Sequence, residues 1–66
     1  MPYKNVKDLP ESVQDNLPHH AQEIFKEAFN SALGEYHKEE TAFKVAWSAV
    51  KNKYHKDNDG NWTAKD

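Results

Sequence analysis

An apolar face runs without interruption along one stretch of this chain. Ala21, Ile24, Phe25, Ala28, Phe29, Ala32, Leu33 and Tyr36 fall at steps of 3, 4, 7, 8, 11, 12 and 15 from Ala21. That spacing is one side of an α-helix. The residues between, Gln22, Glu23, Lys26, Glu27 and Asn30, are polar. A helix of this kind must bury its stripe against another element. The chain supplies a partner after Glu39 and Glu40, two acids suited to a helix N-terminus. There Ala42, Phe43, Ala46, Trp47, Val50 and Tyr54 repeat the pattern. Val45 and Ala49 widen this second stripe, so the helix is predicted to be buried on more than one side and to be the central element.

Other signals place the remaining elements. Asp8-Leu9-Pro10-Glu11 reads as a helix start, with Asp8 as the cap and Pro10 in the first turn. Leu9, Val13 and Leu17 then form one short stripe, ended by Pro18. Pro18 also opens the long helix, where its missing N–H costs nothing. Gly34 weakens the last turn, so that helix should end between Tyr36 and Lys38. Asp57-Asn58-Asp59-Gly60 is a turn by composition. Residues 1–7 read as extended, and Asn61-Trp62-Thr63 as a short strand whose natural partner lies around Tyr3. The predicted fold is mainly α: a compact three-helix domain with a small two-stranded sheet pairing the N- and C-terminal segments. Residues 1–66 form a single domain.

Size and composition limit what such a domain can do. A chain of 66 residues buries only about 60% of its unfolded surface. No cysteine is present, which excludes disulfides and thiolate zinc sites. The core must rely on eight aromatic side chains (three Tyr, three Phe, two Trp), too many for a disordered chain. Catalysis has little to build on. The chain has no cysteine nucleophile, no glycine-rich phosphate loop and no arginine, and Ser12, Ser31 and Ser48 sit in helical segments. No cofactor is implied, and a binding protein is expected rather than an enzyme.

Charge is unevenly placed. From Asp8 to Glu40 there are eight acids against Lys26 and Lys38. From Thr41 to Lys56 there are four lysines, Lys44, Lys51, Lys53 and Lys56, and no acid. These four are the candidate partner-binding face, offered to an acidic partner. A nucleic acid is the alternative partner, since helices enter the major groove. The missing arginine and the net charge of −2 oppose it, and Phe43, Trp47 and Tyr54 fall on the buried stripe. Asp57 and Asp59 are weak metal candidates. With Gly60 at position six of a calcium loop, they occupy positions three and five, but position one is His55 and position twelve is Asp66. No pair among His19, His20, His37 and His55 has the i, i+4 spacing of a helical metal site. No apolar run approaches the ~20 residues of a membrane span. Met1-Pro2-Tyr3-Lys4-Asn5 lacks a signal-peptide core. A cytoplasmic monomer with no direct membrane insertion is expected.

Three blocks of sequence resemble the ChaB family. The first is Met1-Pro2-Tyr3-Lys4 with Asp8-Leu9-Pro10-Glu11-Ser12-Val13. The second is Leu17-Pro18 with His20-Ala21-Gln22-Glu23-Ile24 and Lys26-Glu27-Ala28-Phe29-Asn30-Ser31-Ala32. The third is Glu39-Glu40-Thr41-Ala42 with Lys44-Val45-Ala46-Trp47, Ala49-Val50-Lys51 and Tyr54. The resemblance implies three helices with a small two-stranded sheet. It also implies regulation of cation transport, through association with a sodium/calcium–proton antiporter. For similar domains in viral and larger proteins it implies nucleic-acid binding. As part of a matched block, His20 is expected in a bonded structural role near the start of the second helix. The chain departs from the family in one place: members often carry a longer charged insertion between the second and third helices, and here only Tyr36 to Glu40 connects them.

Overall fold

The computed structural model describes residues 3–64. A 3₁₀ turn at Val6–Asp8 leads into α1 (Glu11–Asn16), α2 (His19–Tyr36) and α3 (Glu39–Lys53). Strands β1 (Tyr54–Lys56) and β2 (Trp62–Ala64) follow. The fold is mainly α with one small sheet, as the periodicities require.

The prolines stand at the helix starts, but as N-caps just before Glu11 and His19 and not in the first turns as expected. The Pro18 carbonyl accepts the Gln22 N–H at 2.9 Å, and the Pro10 carbonyl accepts those of Val13 and Gln14 at 2.9 and 3.1 Å. Asp8 does not cap α1. It closes the 3₁₀ turn instead, and its Oδ2 accepts the Asn5 N–H at 3.2 Å. Glutamine amides hold the linking segments. Gln14 Nε2 donates to the Leu9 and Lys7 carbonyls at 2.6 and 3.0 Å. Gln22 Nε2 donates to those of Leu17 and Gln14 at 2.8 and 3.2 Å.

The core gathers around α2, not α3. Ala21, Phe25, Phe29 and Ala32 of α2 are buried against Ala42, Ala46 and Val50 of α3. Helix α2 also packs on α1 and on the 3₁₀ turn, which makes it the central element. Val45 is 37% exposed, so α3 buries one face only. With one helix as its neighbour, its second apolar edge has nothing to pack on. Tyr36 is also exposed, at 51%. It sits at the tip of the α2–α3 hairpin, where the chain reverses. The link is His37 and Lys38 alone. His37 takes the left-handed conformation (φ 59°), and its N–H bonds the Leu33 carbonyl at 2.8 Å, an αL cap built without glycine.

The sheet does not pair the two ends of the chain. It is a local antiparallel hairpin in which Tyr54, His55 and Lys56 oppose Ala64, Thr63 and Trp62. The Asp57 Oδ1 accepts the Asp59 and Asn61 N–H groups, both at 2.9 Å, and Gly60 takes φ 87°. Closing this short loop costs far less entropy than joining the termini. Tyr54 leaves the helical stripe for β1, yet stays buried at 6% exposure.

The N-terminal segment finds another partner. Val6–Asp8 is the 3₁₀ turn rather than part of an extended run, and Met1 and Pro2 lie outside the described residues. Asn30 of α2 binds Tyr3 on both sides of its backbone. The Tyr3 N–H donates to Asn30 Oδ1 at 2.8 Å, and Asn30 Nδ2 donates to the Tyr3 carbonyl at 2.7 Å. A side-chain amide thus replaces the expected strand. The Tyr3 ring lies on Phe29 with centroids 4.8 Å apart. Burial, and then the negative charge of Glu39, push the Tyr3 phenol above its usual value.

Asn30→Ala should therefore cost about 1–3 kcal/mol in denaturant unfolding. The Tyr3 amide should also lose its hydrogen-exchange protection while helix content holds; unchanged protection would refute the clamp. The raised Tyr3 pKa favours the neutral phenol in the folded state. Its contribution is complete below the unfolded value of 10.0 and is lost as pH rises through the folded value. Tyr3→Phe should consequently lose stability less steeply than the parent between pH ~9 and ~11, measured by denaturant melts at each pH.

Candidate functional site

Helix α3 turns a mixed aromatic and basic flank to solvent. Ala42, Ala46 and Val50 recur every fourth residue and point inward, each at zero exposure. One step further round the helix, Phe43 and Trp47 are half-buried. Phe43 lies edge-on to Phe29 with centroids 4.8 Å apart, and Trp47 edge-on to Phe25 at 5.1 Å. Lys44 and Lys51 are seven residues apart, so they share one side of the helix, about 10.5 Å apart along its axis.

These residues line an open groove made by Phe43, Lys44, Trp47, Ser48 and Lys51. It continues into a second hollow lined by Lys51, Tyr54, His55, Lys56 and Trp62. Lys51 borders both. The Trp47 and Trp62 rings, 5.8 Å apart and tilted by 34°, form the floor where the hollows join. Three of the four lysines singled out in the sequence therefore border one continuous surface. Lys53 does not; it lies about 180° round the helix from Lys44 and lines neither hollow. Among the described residues Lys44, Lys51 and Lys56 have no carboxylate partner. Lys51 and Lys53 also stand in the last turn of α3, where positive charge suits the helix dipole.

The Asp57 side chain holds the backbone of the turn. Asp57 Oδ1 receives two backbone N–H groups, and the Asp57 carbonyl receives that of Gly60 at 3.1 Å. Asp66 lies outside the described residues. Among those described, no three His, Asp or Glu side chains gather where a metal could sit. His20 has a bonded role near the α2 start: its Nδ1 is 3.0 Å from the Tyr54 hydroxyl, which ties α2 to β1. His19 is 3.6 Å from Glu23 on an exposed face, and His55 Nε2 is 3.1 Å from the Thr63 hydroxyl across the hairpin.

The sequence alone names the lysines but not the whole surface. Lys44, Trp47 and Lys51 at i, i+3 and i+7 are a readable signal for the α3 part. Trp62 joins them only because β2 folds back beside α3, which no local spacing announces.

The sequence model of the ChaB family matches residues 9–65. The chain belongs to the ChaB family. Proteins from Escherichia coli K12, Escherichia coli O157:H7 and Shigella flexneri, each named "Putative cation transport regulator ChaB", are 62% identical to it over 40 residues. That match covers 61% of this chain and 53% of theirs, so the chain spans about half the length of the curated relatives it matches. A solved structure described as "NMR solution structure of the putative cation transport regulator ChaB" is 52% identical, with a TM-score of 0.89. It covers 98% of this chain and 100% of that one. The groove residues Phe43 to Trp62 all fall within the stretch that matches the family.

Tyr54→Phe should cost about 0.5–1.5 kcal/mol through loss of the His20 bond. A double-mutant cycle with His20→Ala tests this: purely additive losses would show that the two groups are uncoupled.

Proposed function

We propose that this chain is a non-enzymatic regulator of cation transport that acts by contact with another protein. The observation that carries the reading is the α3–hairpin groove, where Lys44, Lys51 and Lys56 border an aromatic floor. Half-buried tryptophan is a residue type of protein-binding hot spots, and lysines with no carboxylate partner among the described residues supply steering charge around it. The cation-transport part rests on the names of the family relatives. The proposed partner is a membrane cation antiporter. Among the described residues no helix is long and apolar enough to cross a membrane. The reading therefore places contact on the transporter's water-facing surface. Lys53 lies on the far side of α3 and is left out of the proposed contact.

The test is capture of partners by the tagged chain from detergent-extracted membranes, with and without nuclease. A cation transporter should co-purify regardless of nuclease. Lys44→Glu with Lys51→Glu should reduce its recovery by about tenfold, while Lys7→Glu, on the 3₁₀ turn, should not. Recovery that depends on intact nucleic acid, or that ignores the charge reversal, would overturn the proposal.

A further inference from the structure

We propose that the occupant of this groove is an acidic segment with an apolar anchor: carboxylates engage Lys44 and Lys51, and the anchor rests on the Trp47 and Trp62 rings. This deepens the protein-contact reading and rests on it.

Charge complementarity selects the occupant. No acid lies between Thr41 and Lys56, whereas Asp8 to Glu40 carries eight acids against two lysines. The Asp8 to Glu40 part of the surface therefore disfavours an acidic segment, and the α3 face favours it. A neutral apolar segment would gain nothing from the lysines that border the floor.

Spacing limits its form. Lys44 and Lys51 stand about 10.5 Å apart along the α3 axis. Two carboxylates seven residues apart on a helix match that distance and share one face, whereas residues three apart on an extended strand span it but point to opposite faces. Between the lysines the groove is lined by Trp47 and Ser48, with Phe43 one residue before Lys44 and Trp62 added from β2. An apolar side chain between the two acids meets that floor. Lys56 lies past Lys51 on β1, so a third acid beyond the anchor extends the same register. Lys53, on the far side of α3, takes no part.

The chain has its own reporters. Both of its tryptophans line the groove, so intrinsic fluorescence reads occupancy without a label. The probe is a capped helical peptide of about 16 residues, with glutamates at i and i+7 and leucines at i+3 and i+4. Controls are the same peptide with lysine for glutamate, a short DNA duplex and phosphatidylglycerol vesicles.

The glutamate peptide should shift tryptophan emission saturably, with amide shifts confined to α3 and the hairpin. Lys44→Glu with Lys51→Glu should weaken binding by about tenfold or more, and Lys53→Glu by less than about twofold. Far-UV melts verify that these exposed substitutions leave the fold intact. Absent binding, equal binding of the lysine peptide, or insensitivity to the Lys44 and Lys51 reversals would overturn the proposal. Tighter binding of duplex or vesicles at the same residues would do so too. If transporter capture stays lysine-dependent while the peptide fails, only this inference falls. If the peptide binds and no transporter is captured, only the cation-transport reading falls.

Discussion

The contact of Phe25 and Phe29 with the α3 rings Phe43 and Trp47 ties the ends of this chain to its middle. From Phe29 the contacts run outward to Tyr3 at 4.8 Å, and from Trp47 to Trp62 at 5.8 Å. Both ends of the described chain thus hang on one relay of rings through α2 and α3. In a domain of 66 residues without cysteine, few other devices are available. The alanines are the complement of the rings. Ala42 and Ala46 sit at zero exposure on α3, and their small side chains let the two helix backbones approach while phenylalanine fills the space between.

How far the sequence could be read follows from how local each signal is. The α2 and α3 stripes are helical periodicities, and both helices form where those periodicities run, except that Tyr54 passes into β1. The turn at Asp57 to Gly60 is dictated by residues four positions apart, and it too forms as expected. Some misreadings are local, as at the Asp8 cap, the Val6–Asp8 turn and Tyr54, and the larger ones concern contacts between distant residues. Composition gave residues 1–7 and the Trp62 segment to each other because each lacked a partner. In the structure each takes another one: the Asn30 amide for Tyr3, and the adjacent strand for Trp62. Val45 fits the pattern of a buried position and is exposed, because periodicity names a face but not whether anything packs against it.

The candidate surface divides in the same way. Its lysines are visible as a charge run, since charge needs no tertiary structure to be counted. Its limits are set by rotation about the helix, which separates Lys53 from Lys44 and Lys51 despite their closeness in sequence. Its floor is tertiary, because Trp62 reaches Trp47 only through the hairpin. A charge count alone would have given Lys53 the same standing as Lys51.

Stability and recognition share atoms here, and surface-to-volume scaling makes that sharing hard to avoid. A domain this small cannot fully cover its largest side chains. Phe43, Trp47 and Trp62 pack on the core and remain half-buried. The edge of the core is therefore also the floor of the groove. Substitution of Trp47 removes core packing and contact surface together, so its effect on binding cannot be separated from its effect on folding. The lysines above are different. They are exposed and have no carboxylate partner among the described residues. Charge reversal there changes the field over the groove while the aromatic relay beneath stays in place, so the lysines, rather than the aromatics, separate what the fold needs from what a partner needs.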